Sequence, residues 1–122
     1  MHLKRFIVSD QSIKKNTGRI QYDKALSLAR FCDENIRKDA KKNVNYNLSG
    51  IVRHIGGTAS SGHYTANCER MKKNMRDGSD NCGKEWVSFD DGISTMTSLL
   101  NVVKNERNQR SVYMMLYGLD EP

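Results

Sequence analysis

Proline is nearly missing from this chain, with one residue in 122, and glycine contributes only nine. That excludes collagen-like repeats, proline-rich linkers and low-complexity sequence. No apolar run approaches the ~20 residues that a membrane-spanning helix needs, so no membrane partner is expected. The first residues, Met1-His2-Leu3-Lys4-Arg5-Phe6, lack the apolar stretch of a secretory signal. Cysteines are few and odd in number: Cys32, Cys68 and Cys82. Without a signal, an odd count implies reduced thiols and an intracellular setting, cytoplasmic or nuclear. No CxxC pair occurs, so a structural zinc site built from this chain is not expected. No other metal and no cofactor is called for.

What the chain has in excess is positive charge, with 20 Lys and Arg against 14 Asp and Glu and a net +6. Such a balance raises the question of nucleic acid. The densest stretches, Arg37-Lys38-Asp39-Ala40-Lys41-Lys42 and Arg70-Met71-Lys72-Lys73, carry no interleaved aromatics and match no nucleic-acid motif. Solvated loops are the favoured reading, and a nucleic-acid partner is not expected. A length of 122 residues fits one domain or a piece of one.

Pattern along the chain predicts mostly short strands. Residues 2–8 are apolar enough for a first strand, Asn16-Thr17-Gly18 reads as a turn, and Arg19-Ile20-Gln21-Tyr22 alternates as a second strand. Residues 23–38 fit either a helix, through Leu28, Phe31 and Cys32, or a strand, through Leu26 and Leu28. Residues 37–45 read as a loop. Tyr46 to Ile55 is the clearest strand, with Tyr46, Leu48, Gly50, Val52 and His54 on one side of a regular pleat. A flexible loop over 56–62 joins it to a strand over 63–68, making a hairpin. Residues 69–84 read as a polar insertion turning at Asp77-Gly78. Trp86-Val87-Ser88-Phe89 is a strand ending in the turn sequence Asp90-Asp91-Gly92. Residues 94–107 suit a helix capped by Thr95 or Thr97, with Leu99, Leu100 and Val103 inward, and 111–117 is a last strand. The fold class is α+β: a mainly antiparallel sheet with one or two short helices.

Three residues carry chemistry. His63 opens a strand after a Gly/Ser loop, and Asp90, followed by Asp91, ends the next. Neighbouring strands lie about 4.8 Å apart, so an acid ending one can meet an imidazole opening the other. That is the base-and-orienter half of a nucleophile–histidine–acid triad. On the residues alone, a packing histidine and an ordinary turn remain open.

Five motifs occur in order: Leu3-Lys4-Arg5-Phe6; Tyr46-x-Leu48-x-Gly50-Ile51-Val52-x-His54-x-Gly56; Ser61-Gly62-His63-Tyr64-Thr65-Ala66; Trp86-x-x-Phe89-Asp90-Asp91; and Val112-Tyr113-Met114-Met115-Leu116-Tyr117. Together they resemble the C-terminal box of the ubiquitin-specific proteases, papain-like deubiquitinases, from residue 3 to residue 117. The resemblance implies a catalytic role for His63, with Asp90 as the third triad member and Asp91 able to share its work. It implies that Gly62 and Tyr64 line the channel for ubiquitin's Gly-Gly tail, and that loop 56–62 lies over that channel. It implies a structural role for His54 and core positions for Trp86 and Phe89. The implied partner is ubiquitin or ubiquitinated proteins.

One part of the family pattern is missing. The nucleophile sits in an N-terminal box with a Gly-Asn-Thr-Cys core, and none of Cys32, Cys68 and Cys82 lies in such a stretch. Residues 1–122 are therefore expected to be the C-terminal portion of the catalytic domain, part of its palm. The N-terminal half that carries the cysteine would be a further partner. Alone, the chain is expected to be inactive. The alternative is a non-catalytic ubiquitin- or partner-binding module on the same fold.

Overall fold

The computed structural model describes residues 1–39, 43–72 and 83–120. Its centre is β4 (Asn45–Ile55), which pairs antiparallel with β5 (His63–Met71) on one side and β8 (Val112–Leu119) on the other. β6 (Lys84–Asp90) and β7 (Ile93–Thr97) extend the sheet beyond β5, and the short β3 (Ala25–Ser27) pairs with the start of β4. The result is mainly antiparallel sheet with a few short helices, which among the described residues are a 3-10 turn over Ala29–Phe31, α1 (Glu34–Lys38), α2 (Leu99–Lys104) and α3 (Glu106–Ser111). Val102 and Val103 of α2 share one buried cluster with Leu48, Ile51, Trp86, Val112, Met115 and Tyr22. That cluster defines the core face of the sheet.

β4 is not regularly pleated. Its register against β8 shifts between Leu48 and Gly50, so the extra residue brings Leu48 and Ile51 to the same core. His54 consequently lies opposite Tyr64, away from that core. The five-residue alternation expected from the sequence breaks at this bulge. The same logic corrects Phe89. Trp86 and Phe89 are three apart, so an extended strand sends them to opposite faces. Trp86 is buried, and Phe89 is exposed on the outer face.

Other expectations shift as well. Residues 6–15 form a separate hairpin, β1 (Phe6–Ser9) with β2 (Ser12–Lys15), where the sequence suggested one strand and a polar stretch. Before it, His2 makes an isolated bridge to Met114. Residues 19–22 form no strand; Tyr22 is buried with its hydroxyl donating to the Val102 carbonyl at 2.7 Å. Residues 94–97, the start of the helix expected over 94–107, belong instead to β7. Ile93 lies opposite Asp90 across a two-residue turn, in which Asp91 takes φ 49°. A β-branched and polar run after a tight turn pairs back before any helix can start. The cap of α2 is Ser98, whose side chain accepts from the Asn101 N–H; Leu100 points outward and Val102 inward. The turn at Asp77-Gly78, Cys82 and part of the 37–45 loop lie outside the described residues.

Arg5 ties the first hairpin to this frame. It is buried, and its guanidinium donates to the carbonyls of Val112 at 2.5 Å, Asn16 at 3.0 Å, Gly18 at 2.9 Å and Gln109 at 2.9 Å. Burial pushes its pKa below the usual arginine value. A planar fork with several fixed donors suits this gathering of main-chain oxygens, where a lysine would not.

Candidate active site

The register explains why His63 meets Asp90. β5 and β6 pair Ala66 with Phe89, and one step further the ladder sets Asp90 opposite Thr65. His63 lies two residues from Thr65 on the same face, so it is the diagonal neighbour of Asp90. In the structure His63 Nε2 hydrogen-bonds Asp90 Oδ1, and Asp91 Oδ2 lies 4.0 Å from the same nitrogen. The three residues named as chemical candidates are thus brought to one place.

The bond has consequences for the proton. With Nε2 engaged by a carboxylate, the neutral imidazole is held with its hydrogen on Nε2 and its lone pair on Nδ1. The His63 side chain keeps 42% exposure, so a group from outside this chain can reach it. The Asp90 hydrogen bond, supported by the charges of Asp90 and Asp91, raises the His63 pKa above 6.5, with a smaller opposing effect of desolvation.

No thiol of the described residues joins the pair. Cys68 is five residues along β5 from His63, roughly 16 Å at strand rise, and its odd separation puts it on the other face. Burial raises its pKa, the opposite of an activated thiolate. Cys32 donates its Sγ–H to the Leu28 carbonyl at 3.2 Å. Both are free thiols.

Behind His63 the chain is crowded. A side chain on Gly62 would place Cβ 2.2 Å from His54 Nε2 and 2.8 Å from the Ile55 carbonyl, so only glycine fits there. His54 is buried, its ring packed between Phe6 at 5.4 Å and Tyr64 at 4.9 Å, with Nδ1 unpartnered. Burial, then the Lys15 charge, lowers its pKa below 6.5. Tyr64 is exposed, and Tyr113 lies 6.0 Å from its ring. Gly62 and Tyr64 therefore flank His63 as a bare backbone and an open aromatic face. Lys15, which no sequence motif singled out, reaches the root of the same loop, with Nζ donating to the carbonyls of His54 and Gly56 at 2.7 Å each. Its one signal in the sequence was a lysine in a polar stretch, and that signal is common.

Donor atoms of His63, Asp90 and Asp91 lie within 4.8 Å of one another, close enough for a metal ion to bridge. Exposed carboxylates often reach such spacing without an ion, and the His63–Asp90 bond already links two of the donors.

The chain as a whole is similar to known proteins. A family described as ubiquitin carboxyl-terminal hydrolase matches residues 1–117. "Ubiquitin carboxyl-terminal hydrolase 10" of Saccharomyces cerevisiae is 30% identical over 117 residues, 96% of this chain and 12% of the relative. "Ubiquitin carboxyl-terminal hydrolase nonstop" of Drosophila melanogaster is 32% identical over 105 residues, 86% of this chain and 18% of the relative. The chain thus spans less than a fifth of either relative. Among solved structures, the SAGA Ubp8/Sgf11/Sus1/Sgf73 DUB module bound to ubiquitin aldehyde matches with TM-score 0.68 and 25% identity, over 98% of this chain and 24% of that one. The yeast SAGA DUB module matches with the same score and identity, covering 98% of this chain and 22% of that one.

Proposed function

Because the chain belongs to the ubiquitin carboxyl-terminal hydrolase family, a family of cysteine proteases, we propose that it is the histidine- and acid-bearing C-terminal portion of a deubiquitinase catalytic domain. Its substrate would be the isopeptide or peptide bond after the C-terminal glycine of ubiquitin. The observation that carries this reading is the His63 Nε2–Asp90 bond, which leaves Nδ1 as the proton acceptor at an exposed position. A cysteine from the N-terminal half would give its thiol proton to Nδ1, and the thiolate would attack the glycine carbonyl. As the C–N bond breaks, the imidazolium returns that proton to the leaving amine. Water then gives a proton to Nδ1 and adds to the thioester, which releases the ubiquitin carboxylate and restores the thiol. Asp90 holds the imidazole and balances its positive charge, and Asp91 stands by as a weaker partner.

The outer face of the sheet supports a second half. Leu116, Gly50, Cys68, Val87 and Met96 lie side by side across it, next to Met114, Val52, Ala66, Phe89 and Ser94. Leu116, Met96, Met114 and Phe89 are exposed there. A sheet face this apolar reads as one that packs against more protein. Loop 56–62, with Gly62 and Tyr64, would border the passage for ubiquitin's Gly-Gly tail. The free thiols Cys32 and Cys68 suit a reducing intracellular setting.

A fluorogenic ubiquitin C-terminal amide tests the reading. The full-length protein should turn it over, and residues 1–122 alone should not. His63→Ala in the full-length protein should lower kcat/KM by about 10³-fold or more, with ubiquitin binding little changed. A full-length protein that binds ubiquitin without any turnover would support the non-catalytic module instead. Turnover by residues 1–122 alone would show that the nucleophile lies inside this chain.

A further inference from the structure

Loop 56–62 returns on itself at Gly62, the residue next to the candidate base. A Cβ on Gly56, which has φ +132°, would lie 2.9 Å from Gly62 Cα and 3.1 Å from the Ser61 carbonyl, so the two ends of the loop touch. Ile55 and His63 form the last pair of the β4–β5 ladder. Any movement of Gly56 is therefore passed to Gly62 and to the backbone that carries the His63 imidazole.

On its other side β4 loses its neighbour here, since the β8 ladder stops at Arg53. Lys15 reaches this unsupported stretch. Its ammonium donates to the carbonyls of His54 and Gly56 at 2.7 Å each, and among the described residues it forms no ion pair. The half-buried cation is spent on two main-chain oxygens. Such charge-assisted bonds are short and strong. The residue is itself well held, because β2 pairs Lys15 with Phe6, Phe6 packs on the His54 ring, and Arg5 fixes the hairpin base to four carbonyls. A rigid arm thus ends in a cation at the loop stem.

We propose that Lys15 is a positioning residue for the active site: by bridging the His54 and Gly56 carbonyls it fixes the stem of loop 56–62, and through it the imidazole of His63. Among the described residues, no hydrogen bond or ion pair joins Lys15 to His63. Its action is on geometry, and a misplacement of about 1 Å at a catalytic group costs on the order of 10²-fold in rate.

The experiment compares wild type, Lys15→Met and Lys15→Arg in the full-length protein. One arm is amide hydrogen exchange over residues 55–63 and over β8; the other is steady-state turnover of the fluorogenic ubiquitin amide. Lys15→Met should speed exchange over 55–63 by about tenfold or more and leave β8 unchanged. It should lower kcat by roughly tenfold to a hundredfold with KM nearly constant. Lys15→Arg should restore most of both. The inference fails if Lys15→Met leaves 55–63 protected, if β8 loosens equally, which marks general destabilisation, or if arginine rescues nothing. The kinetic arm rests on the deubiquitinase reading, but the exchange arm does not. A protein without turnover therefore overturns that reading and still decides the clamp.

Discussion

Nε2 of His63 is committed to Asp90, and Asp91 adds a second carboxylate at 4.0 Å. Because these groups raise the His63 pKa, the folded chain holds the imidazolium to higher pH than the unfolded chain does. The stabilisation is complete below the ordinary value near 6.5 and is lost as pH rises through the raised value. Asp90→Asn should bring the His63 pKa down toward that ordinary value, measured by NMR titration of the imidazole Cε1–H; an unchanged pKa would remove Asp90 from the account. His54 shows the opposite sign. Its pKa is lowered, so its burial as a neutral ring contributes stability above about 6.5 that is lost as pH falls through the depressed value. At Gly62, alanine would need space that His54 Nε2 occupies. Gly62→Ala should cost ~1–3 kcal/mol in denaturant unfolding and should impair turnover further by displacing the loop. The sequence announced His63, Asp90 and Gly62 through short motifs. It could not announce Lys15, because the partners of Lys15 are main-chain carbonyls of His54 and Gly56, which leave no trace in residue type.

Among the elements, the strands with clear apolar or aromatic content were legible: β4, β5, β6 and β8 lie within a few residues of the runs that predicted them. The failures have physical causes. β7 reads like a helix start because Ser and Thr favour caps, but the turn at Asp91 with φ 49° folds Ile93–Thr97 back onto β6. The bulge at Ser49 is a tertiary adjustment to β8, invisible to a count of alternating residues. The cap of α2 separates the two readings by experiment. Ser98→Ala should destabilise by ~1 kcal/mol, seen as a lowered Tm, because its hydroxyl accepts from the Asn101 N–H at 3.1 Å. Thr95→Ala, at an exposed β7 position, should leave Tm nearly unchanged. Equal losses at both sites would return the helix start to Thr95.

For the molecule as a whole, one face of the sheet is packed under α2 and Tyr22, and the other presents Phe89, Met96, Met114 and Leu116. On the proposed reading an N-terminal half covers that face, so in residues 1–122 alone it should drive self-association. Sedimentation velocity should show concentration-dependent association that Leu116→Lys together with Met96→Lys reduces; a monodisperse monomer at all concentrations would argue that the face needs no cover. The central claim is sharper still: this chain supplies the base and its acid, and the nucleophile comes from elsewhere. A ubiquitin probe carrying a C-terminal electrophile, reacted with the full-length protein and mapped by peptide mass spectrometry, tests it most directly. The account predicts a single adduct on a cysteine outside residues 1–122, with labelling abolished or greatly slowed in His63→Ala. An adduct on Cys32, Cys68 or Cys82, or labelling indifferent to His63→Ala, would contradict it.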